Sequence, residues 1–296
     1  MTISRRDMLK GLSAAGISMA IAPAADARHP QTVKPDDVGM LYDSVRCIGC
    51  RACTTACKKA NSMPLEVRKI DGAEYNAPLD LSSENMSVIK LSRCENDHAF
   101  VKTQCMHCAD PACVSACMAE ALHKLDNGTV AYNKNLCVGC RYCQIACPFD
   151  VPKFTWFEAL PLIVKCELCR HRPEGPACCE ACPREAMVAG TMADLSKLAH
   201  ERIEKEPDKY LPHVYGETEA GGLHVLYLTS KEVPFVDLGL PKVPDHPIPQ
   251  TSETIQHTLY KGFMAPAALF GIFTFAQYYH ERRRKIAEQT SEETDS

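Results

Sequence analysis

The sequence predicts an α+β domain built on a repeated cysteine motif, followed by one C-terminal transmembrane helix. Three observations carry that prediction. Cysteine recurs in four similarly spaced groups: Cys47, Cys50, Cys53 and Cys57; Cys105, Cys108, Cys113 and Cys117; Cys137, Cys140, Cys143 and Cys147; Cys166, Cys169, Cys178 and Cys182. Short apolar runs that suit strands lead into these groups, and segments of helical composition lie among them. Near the C-terminus an uncharged run of eighteen residues, Gly262 to Tyr279, is just long enough to cross a bilayer. With 296 residues, 24% charged and 46% hydrophobic, the chain can bury a sizeable core.

The third group reads CVGCRYCQIAC with Pro148 behind it, the Cys-x2-Cys-x2-Cys-x3-Cys-Pro spacing of a bacterial 4Fe-4S ferredoxin. Three thiolates this close wrap a tight loop around one face of a cubane, and the fourth, directed away by the following helix, ligates a second cluster. One motif therefore asks for a partner, and sixteen cysteines suffice for four clusters. The chain has 18 cysteines, which in an exported protein would first suggest disulfides and in a cytosolic one metal sites. Disulfide frameworks have no reason to repeat Cys-x2-Cys four times. Zinc sites close with four ligands from two pairs, without a further cysteine after each triplet. A zinc or disulfide structural protein is nonetheless the alternative of another class. The net charge of -4 excludes the strongly basic footprint of a nucleic-acid binder, so no nucleic acid is expected as a partner.

Taken in order, residues 1–27 read as a twin-arginine signal peptide. SRRDMLK is followed by an apolar, small-residue run to Pro23 and by Ala25-Asp26-Ala27, after which cleavage is expected. The run is too short for the alternative, a membrane anchor. The twin-arginine export machinery moves folded proteins, so clusters can be inserted in the reducing cytoplasm before the chain meets an oxidising compartment. The cluster domain is expected over residues 28–233. A strand at Gly39 to Tyr42 leads into the first motif, and Lys58 to Asn61 suits a helical turn after it. Residues 62–104 say little. Cys94 there fits no cluster spacing and reads as a buried or stray thiol.

A strand ending at Gln104 delivers the second motif, where Asp110-Pro111 makes an added turn between Cys108 and Cys113. His107 is a packing or surface residue rather than a ligand, because all four cysteines are present. Asn127-Gly128 between alternating apolar positions predicts a hairpin over Leu125 to Tyr132. Phe149, Phe154, Trp156 and Phe157 read as packing that keeps water from the clusters, with an electron path through Trp156 as the alternative. In the fourth motif Cys178 and Cys179 are adjacent. Spacing selects Cys178, which stands before Cys182 with three intervening residues as in the other motifs; Cys179 is then the spare thiol. A strand after Pro183, a helix from Met192 to Glu206 and a strand over residues 224–230 complete the domain.

Five prolines between Val233 and Gln250 argue for an extended linker, residues 234–257, that could reach a membrane or strap along a partner. The transmembrane helix is expected over residues 258–280. Tyr260, Tyr278 and Tyr279 suit the interface and a basic cluster from Arg282 to Lys285 follows, which puts the 281–296 tail in the cytoplasm and the cluster domain outside. A buried soluble helix is the alternative reading of this stretch.

No nucleophile-base pair, phosphate-binding glycine loop or paired acid-base set accompanies the cysteines. Fully ligated clusters have no open iron for substrate, so a non-catalytic electron relay is expected. The four ordered motifs over Gly39 to Gly190 resemble the four-cluster ferredoxin-type electron-transfer subunits of bacterial membrane-bound oxidoreductases. The resemblance implies a duplicated bacterial-ferredoxin-like domain holding four 4Fe-4S clusters, the first motif pairing with the fourth and the second with the third. The implied ligand sets are Cys47, Cys50, Cys53 and Cys182; Cys57, Cys166, Cys169 and Cys178; Cys105, Cys108, Cys113 and Cys147; and Cys117, Cys137, Cys140 and Cys143. Met118 departs from the pattern, since many members have proline there, and this bears on the local turn. GMLYDS, PHVYGETEAGG and ETIQHTLYKG, with the signal and the C-terminal anchor, are similar to the HybA-type iron-sulfur subunits of periplasmic nickel-iron hydrogenase 2. That likeness implies nickel-iron hydrogenase small and large subunits and an integral membrane quinone-reactive subunit as partners, at the periplasmic face of the inner membrane. The same relay serving a molybdenum enzyme, such as a formate dehydrogenase or a sulfur-compound reductase, is the other reading.

Overall fold

The run VGMLYD forms β1, Val38–Asp43, the middle strand of a three-stranded sheet, and its Met40, Leu41 and Tyr42 are all buried. A strand covered on both faces reads as a continuous apolar run rather than an alternating one. The computed structural model describes residues 31–65, 78–94, 97–156, 161–249 and 269–284, with the backbone of 67–70 and 73–76. The expected signal peptide, residues 1–27, lies outside the described residues.

After β1 come α1 (Ala52–Ala60), β2 (Val67–Ile70), β3 (Ala73–Asn76), β4 (Val88–Arg93) and β5 (His98–Thr103). Then follow α2 (Ala112–Ser115), β6 (Leu122–Lys124), β7 (Val130–Tyr132), α3 (Tyr142–Ala146), β8 (Lys153–Phe154) and β9 (Ile163–Val164). The unit closes with α4 (Ala177–Glu180), β10 (Met187–Thr191), α5 (Met192–Lys205) and β11 (Val225–Leu228). In the sheet, β1 pairs antiparallel with β10 and parallel with β11. The pairs β2 with β3, β4 with β5, β6 with β7 and β8 with β9 are antiparallel.

The strand before the second motif, the hairpin at Asn127-Gly128, and the strand, helix and strand after Pro183 are where the residues put them. Residues 62–104 hold two hairpins, β2 with β3 and β4 with β5, of which only the strand into the second motif was expected. The helix of the first motif starts earlier than expected, at Ala52, so it carries both Cys53 and Cys57. In α5 the Thr191 hydroxyl caps the start by accepting from the Asp194 N–H at 3.2 Å, and Leu195 and Ala199 bury one face against Leu41, Leu226 and Leu228. That crossing explains Gly39: a Cβ there would stand 2.2 Å from Met192 Sδ.

Beneath α5, the Asp43 carboxylate is fully buried and accepts from Arg202 at 2.9 Å and the Tyr210 hydroxyl at 2.9 Å. Its other oxygen accepts from the Val45 and Arg46 N–H groups, so it also shapes the turn that delivers Cys47.

The proline-rich segment corrects one expectation. The compact unit does not end at Val233; it runs from Pro30 to Gln250. Phe235, Leu238 and Leu240 are buried in the main core, the Tyr215 hydroxyl donates to Pro241 O, and the Ala220 N–H donates to Pro244 O. Proline removes donors but leaves carbonyls, and those carbonyls are what the domain binds.

Outside that unit, residues 269–284 are helical. Among the described residues no helix is long and apolar enough to cross a membrane, and the first part of the expected 258–280 span lies outside them.

Candidate iron-sulfur centres

Each motif turns on a left-handed residue just before its second cysteine: Gly49 at φ 67°, His107 at 46°, Gly139 at 69° and Leu168 at 52°. A left-handed residue within a loop gathers successive N–H groups on one concave side, which suits anionic sulfur. The Leu168 N–H, for example, points at Cys166 Sγ at 3.4 Å. Glycine adopts this conformation freely, whereas His107 is held in it by its surroundings. Its Nδ1 accepts from the Val130 N–H at 3.0 Å, and its carbonyl accepts from the His224 N–H. His107 is fully buried, a packing residue and not a surface one.

Helix α1 packs against α4, and α2 against α3, which brings the first motif to the fourth and the second to the third. The thiols that sense each other's charge follow. Cys47 neighbours Cys53 and Cys182; Cys57 neighbours Cys178 and Cys169. Cys108 neighbours Cys113, Cys105 and Cys147; Cys143 neighbours Cys117, Cys140 and Cys137. Three further contacts join these sets end to end: Cys53 with Cys178, Cys166 with Cys105, and Cys113 with Cys143. Neighbouring sets therefore follow one another from the set of Cys47, through that of Cys57 and that of Cys105, to that of Cys117.

The two end sets open outward. Cys47, Cys50, Cys53 and Cys182 line one space together with Tyr42, and Cys117, Cys137, Cys140 and Cys143 line another together with Phe154. Cys50 and Cys140 are exposed, whereas Cys57, Cys166, Cys169 and Cys178 are all buried. All eighteen cysteines are free thiols. Among the described residues no three His, Cys, Asp or Glu side chains close around a point that would hold a single ion. Thiols gathered in sets of four, with an N–H such as that of Leu168 aimed at sulfur, fit the donor set and charge of a cubane.

Burial pushes the Cys143 thiol up to about 12 and that of Cys147 to about 11, so binding a cation there must expel protons. The hydrogen bond from Cys179 and the charge of Lys102 bring the Cys178 thiol down, and Cys179 moves up in turn. Cys178 is buried and Cys179 partly exposed. Cys94 lies elsewhere, its thiol 3.8 Å from Asp237 Oδ2.

Two lysines escaped the reading of the sequence. Lys165 donates to the carbonyls of Val130 and Cys166. Lys102, on β5, is fully buried. Burial works against its charge, yet Cys53, Cys178, Cys57 and Cys166 around it raise its pKa well above the usual lysine range. The available signal was a lysine inside an apolar strand running straight into a cysteine motif, as in AFVKTQC and LIVKC. Among the aromatics, Phe154 is buried as expected. Trp156 is instead 56% exposed, with the Arg141 guanidinium 4.1 Å above its ring. Phe157 lies outside the described residues.

Fold and thiol arrangement define an electron-transfer protein of the ferredoxin kind, and residues 96–192 match the family model described as a 4Fe-4S dicluster domain. The chain is 37% identical over 313 residues to the hydrogenase-2 operon protein HybA of Escherichia coli O157:H7, covering 92% of this chain and 94% of that protein. It is 35% identical over 268 residues to the formate dehydrogenase-O iron-sulfur subunit of Escherichia coli strain K12, covering 86% and 85%. A protein of Nitratidesulfovibrio vulgaris is 42% identical over 250 residues, 80% of this chain and 67% of its own length. The chain belongs to the family of iron-sulfur electron-transfer subunits that includes HybA and the formate dehydrogenase iron-sulfur subunits, and its cofactor is of the 4Fe-4S type.

Proposed function

We propose that the sixteen cysteines hold four 4Fe-4S clusters in the sets named above, and that the chain relays electrons from a nickel-iron hydrogenase to an integral membrane partner that reduces quinone. When bound, a cubane with four thiolates exchanges single electrons with its neighbours. The protein's part is to space the sites, keep the two inner ones dry, and bring the two outer ones to the surface. The observation that carries the reading is the succession of the four thiol sets, with the exposed Cys50 and Cys140 in the two end sets and the wholly buried set of Cys57 between them. Around the Cys117 end, Met118, Val138, Ile145 and Trp156 leave exposed apolar surface of the kind that marks a partner's footprint.

Likeness to HybA over nearly the whole chain favours the hydrogenase. In this reading the protein is exported by the twin-arginine route, and a C-terminal helix anchors it at the periplasmic face with its tail in the cytoplasm. Deleting the gene should abolish dihydrogen-dependent quinone reduction and spare hydrogenase activity with an artificial dye acceptor; loss of neither overturns the proposal. The likeness to the formate dehydrogenase subunits supports a second reading, the same relay serving a molybdenum enzyme. Genes for nickel-iron subunits beside this one favour the first reading, and a molybdopterin subunit favours the second.

A further inference from the structure

The Lys102 ammonium is enclosed with no hydrogen-bond partner and, among the described residues, no carboxylate in ion-pair range. Placing an unpaired cation inside a protein is expensive, and such groups persist where an opposite charge compensates. The anions available are sulfurs: Cys53 from the first thiol set, and Cys57, Cys166 and Cys178 from the second. The residue is pinned between the two. Its strand pairs with β4 opposite Ile89, and its carbonyl accepts from the buried Tyr227 hydroxyl at 2.6 Å. Lys165 differs, because its ammonium is spent on two carbonyls.

We propose that Lys102 is a tuning residue, a fixed positive charge that raises the reduction potentials of the two adjoining clusters, those of Cys47 and of Cys57, relative to the other two. The inference rests on the ligand sets of the preceding section. Reduction adds negative charge to a site already anionic through its thiolates, so a nearby buried cation favours the reduced form, and low dielectric makes the effect large. Between two such sites the same charge also offsets the repulsion that an electron on one would exert on the other. Lys102 thereby eases electron entry into that half of the relay.

The test is a redox titration, followed by electron paramagnetic resonance, of the full-length chain purified anaerobically in its complex. In Lys102→Met two of the cluster potentials should fall, each by at least ~10-fold in the ratio of reduced to oxidised form at fixed poise, or about 59 mV for one electron. The other potentials should stay, and Lys102→Arg should keep all of them. An iron-replete Lys102→Met chain with unchanged potentials, or with all potentials shifted alike, overturns the proposal. Should Lys102→Met and Lys102→Gln both lose iron while Lys102→Arg keeps it, the charge serves assembly and the tuning role is likewise overturned. Iron in the unsubstituted chain keeps the two readings apart: a count well below about sixteen defeats the ligand sets, whatever Lys102 does.

Discussion

Cys178→Ser is expected to remove one cluster, about four of some sixteen iron atoms per chain, while Cys179→Ser leaves iron nearly unchanged. The two thiols are adjacent on α4, so the prediction depends on where the helix points each. Cys178 is buried and shares its surroundings with Cys57, Cys53 and Cys166, thiols of the first and fourth motifs. Cys179 is partly exposed. A serine at position 178 would leave the inner site of Cys57, Cys166 and Cys169 one thiolate short, in surroundings too buried for water to substitute readily. Iron and acid-labile sulfide analysis of anaerobically purified variants reads the outcome, with Cys94→Ser as a further control. Iron lost from Cys179→Ser and kept in Cys178→Ser would reverse the assignment.

Asp43→Ala should cost about 3–5 kcal/mol, because it leaves the buried Arg202 guanidinium without its counter-charge. The carboxylate is wholly enclosed, 2.9 Å from both Arg202 and the Tyr210 hydroxyl. It also accepts from the Val45 and Arg46 N–H groups at 3.0 and 3.2 Å, on the turn that ends at Cys47. The loss should therefore appear twice, as a lower midpoint in anaerobic denaturant unfolding and as easier bleaching of the cluster absorbance. Adding Arg202→Leu to Asp43→Ala should recover part of the deficit, since an apolar residue carries no stranded charge. A single substitution costing under about 1 kcal/mol would mean that Arg202 finds another partner, such as the Glu185 carbonyl it already reaches at 3.1 Å.

Much of the candidate site was legible because ligand spacing is a local property. A cysteine triplet at x2 intervals can wrap one cubane whatever surrounds it. Gly49 and Gly139 likewise announce the left-handed turn their loops require, since glycine alone adopts it without help. His107 and Leu168 make the same turn with side chains that normally avoid it, and nothing in their identity says so. The long helix α5 and strand β11 were readable from periodicity, while the pairing of β2 with β3 and of β4 with β5 was not, because pairing depends on register between strands and not on either strand's own pattern.

The sequence by itself determined the cofactor class, the four cysteine motifs and the strand that leads into the first of them. Each of these is encoded within a few residues, in spacing or in a run of apolar side chains. Only the tertiary structure decided the end-to-end order of the thiol sets, the burial of Lys102 between two of them, the exposure of Trp156 and the folding of the proline-rich segment onto its own domain. These depend on contacts between residues far apart in the chain, as when α1 meets α4 or Tyr215 reaches Pro241. Which charge is left without water, and which aromatic is left with it, follows from the packing of the whole domain and not from any local stretch.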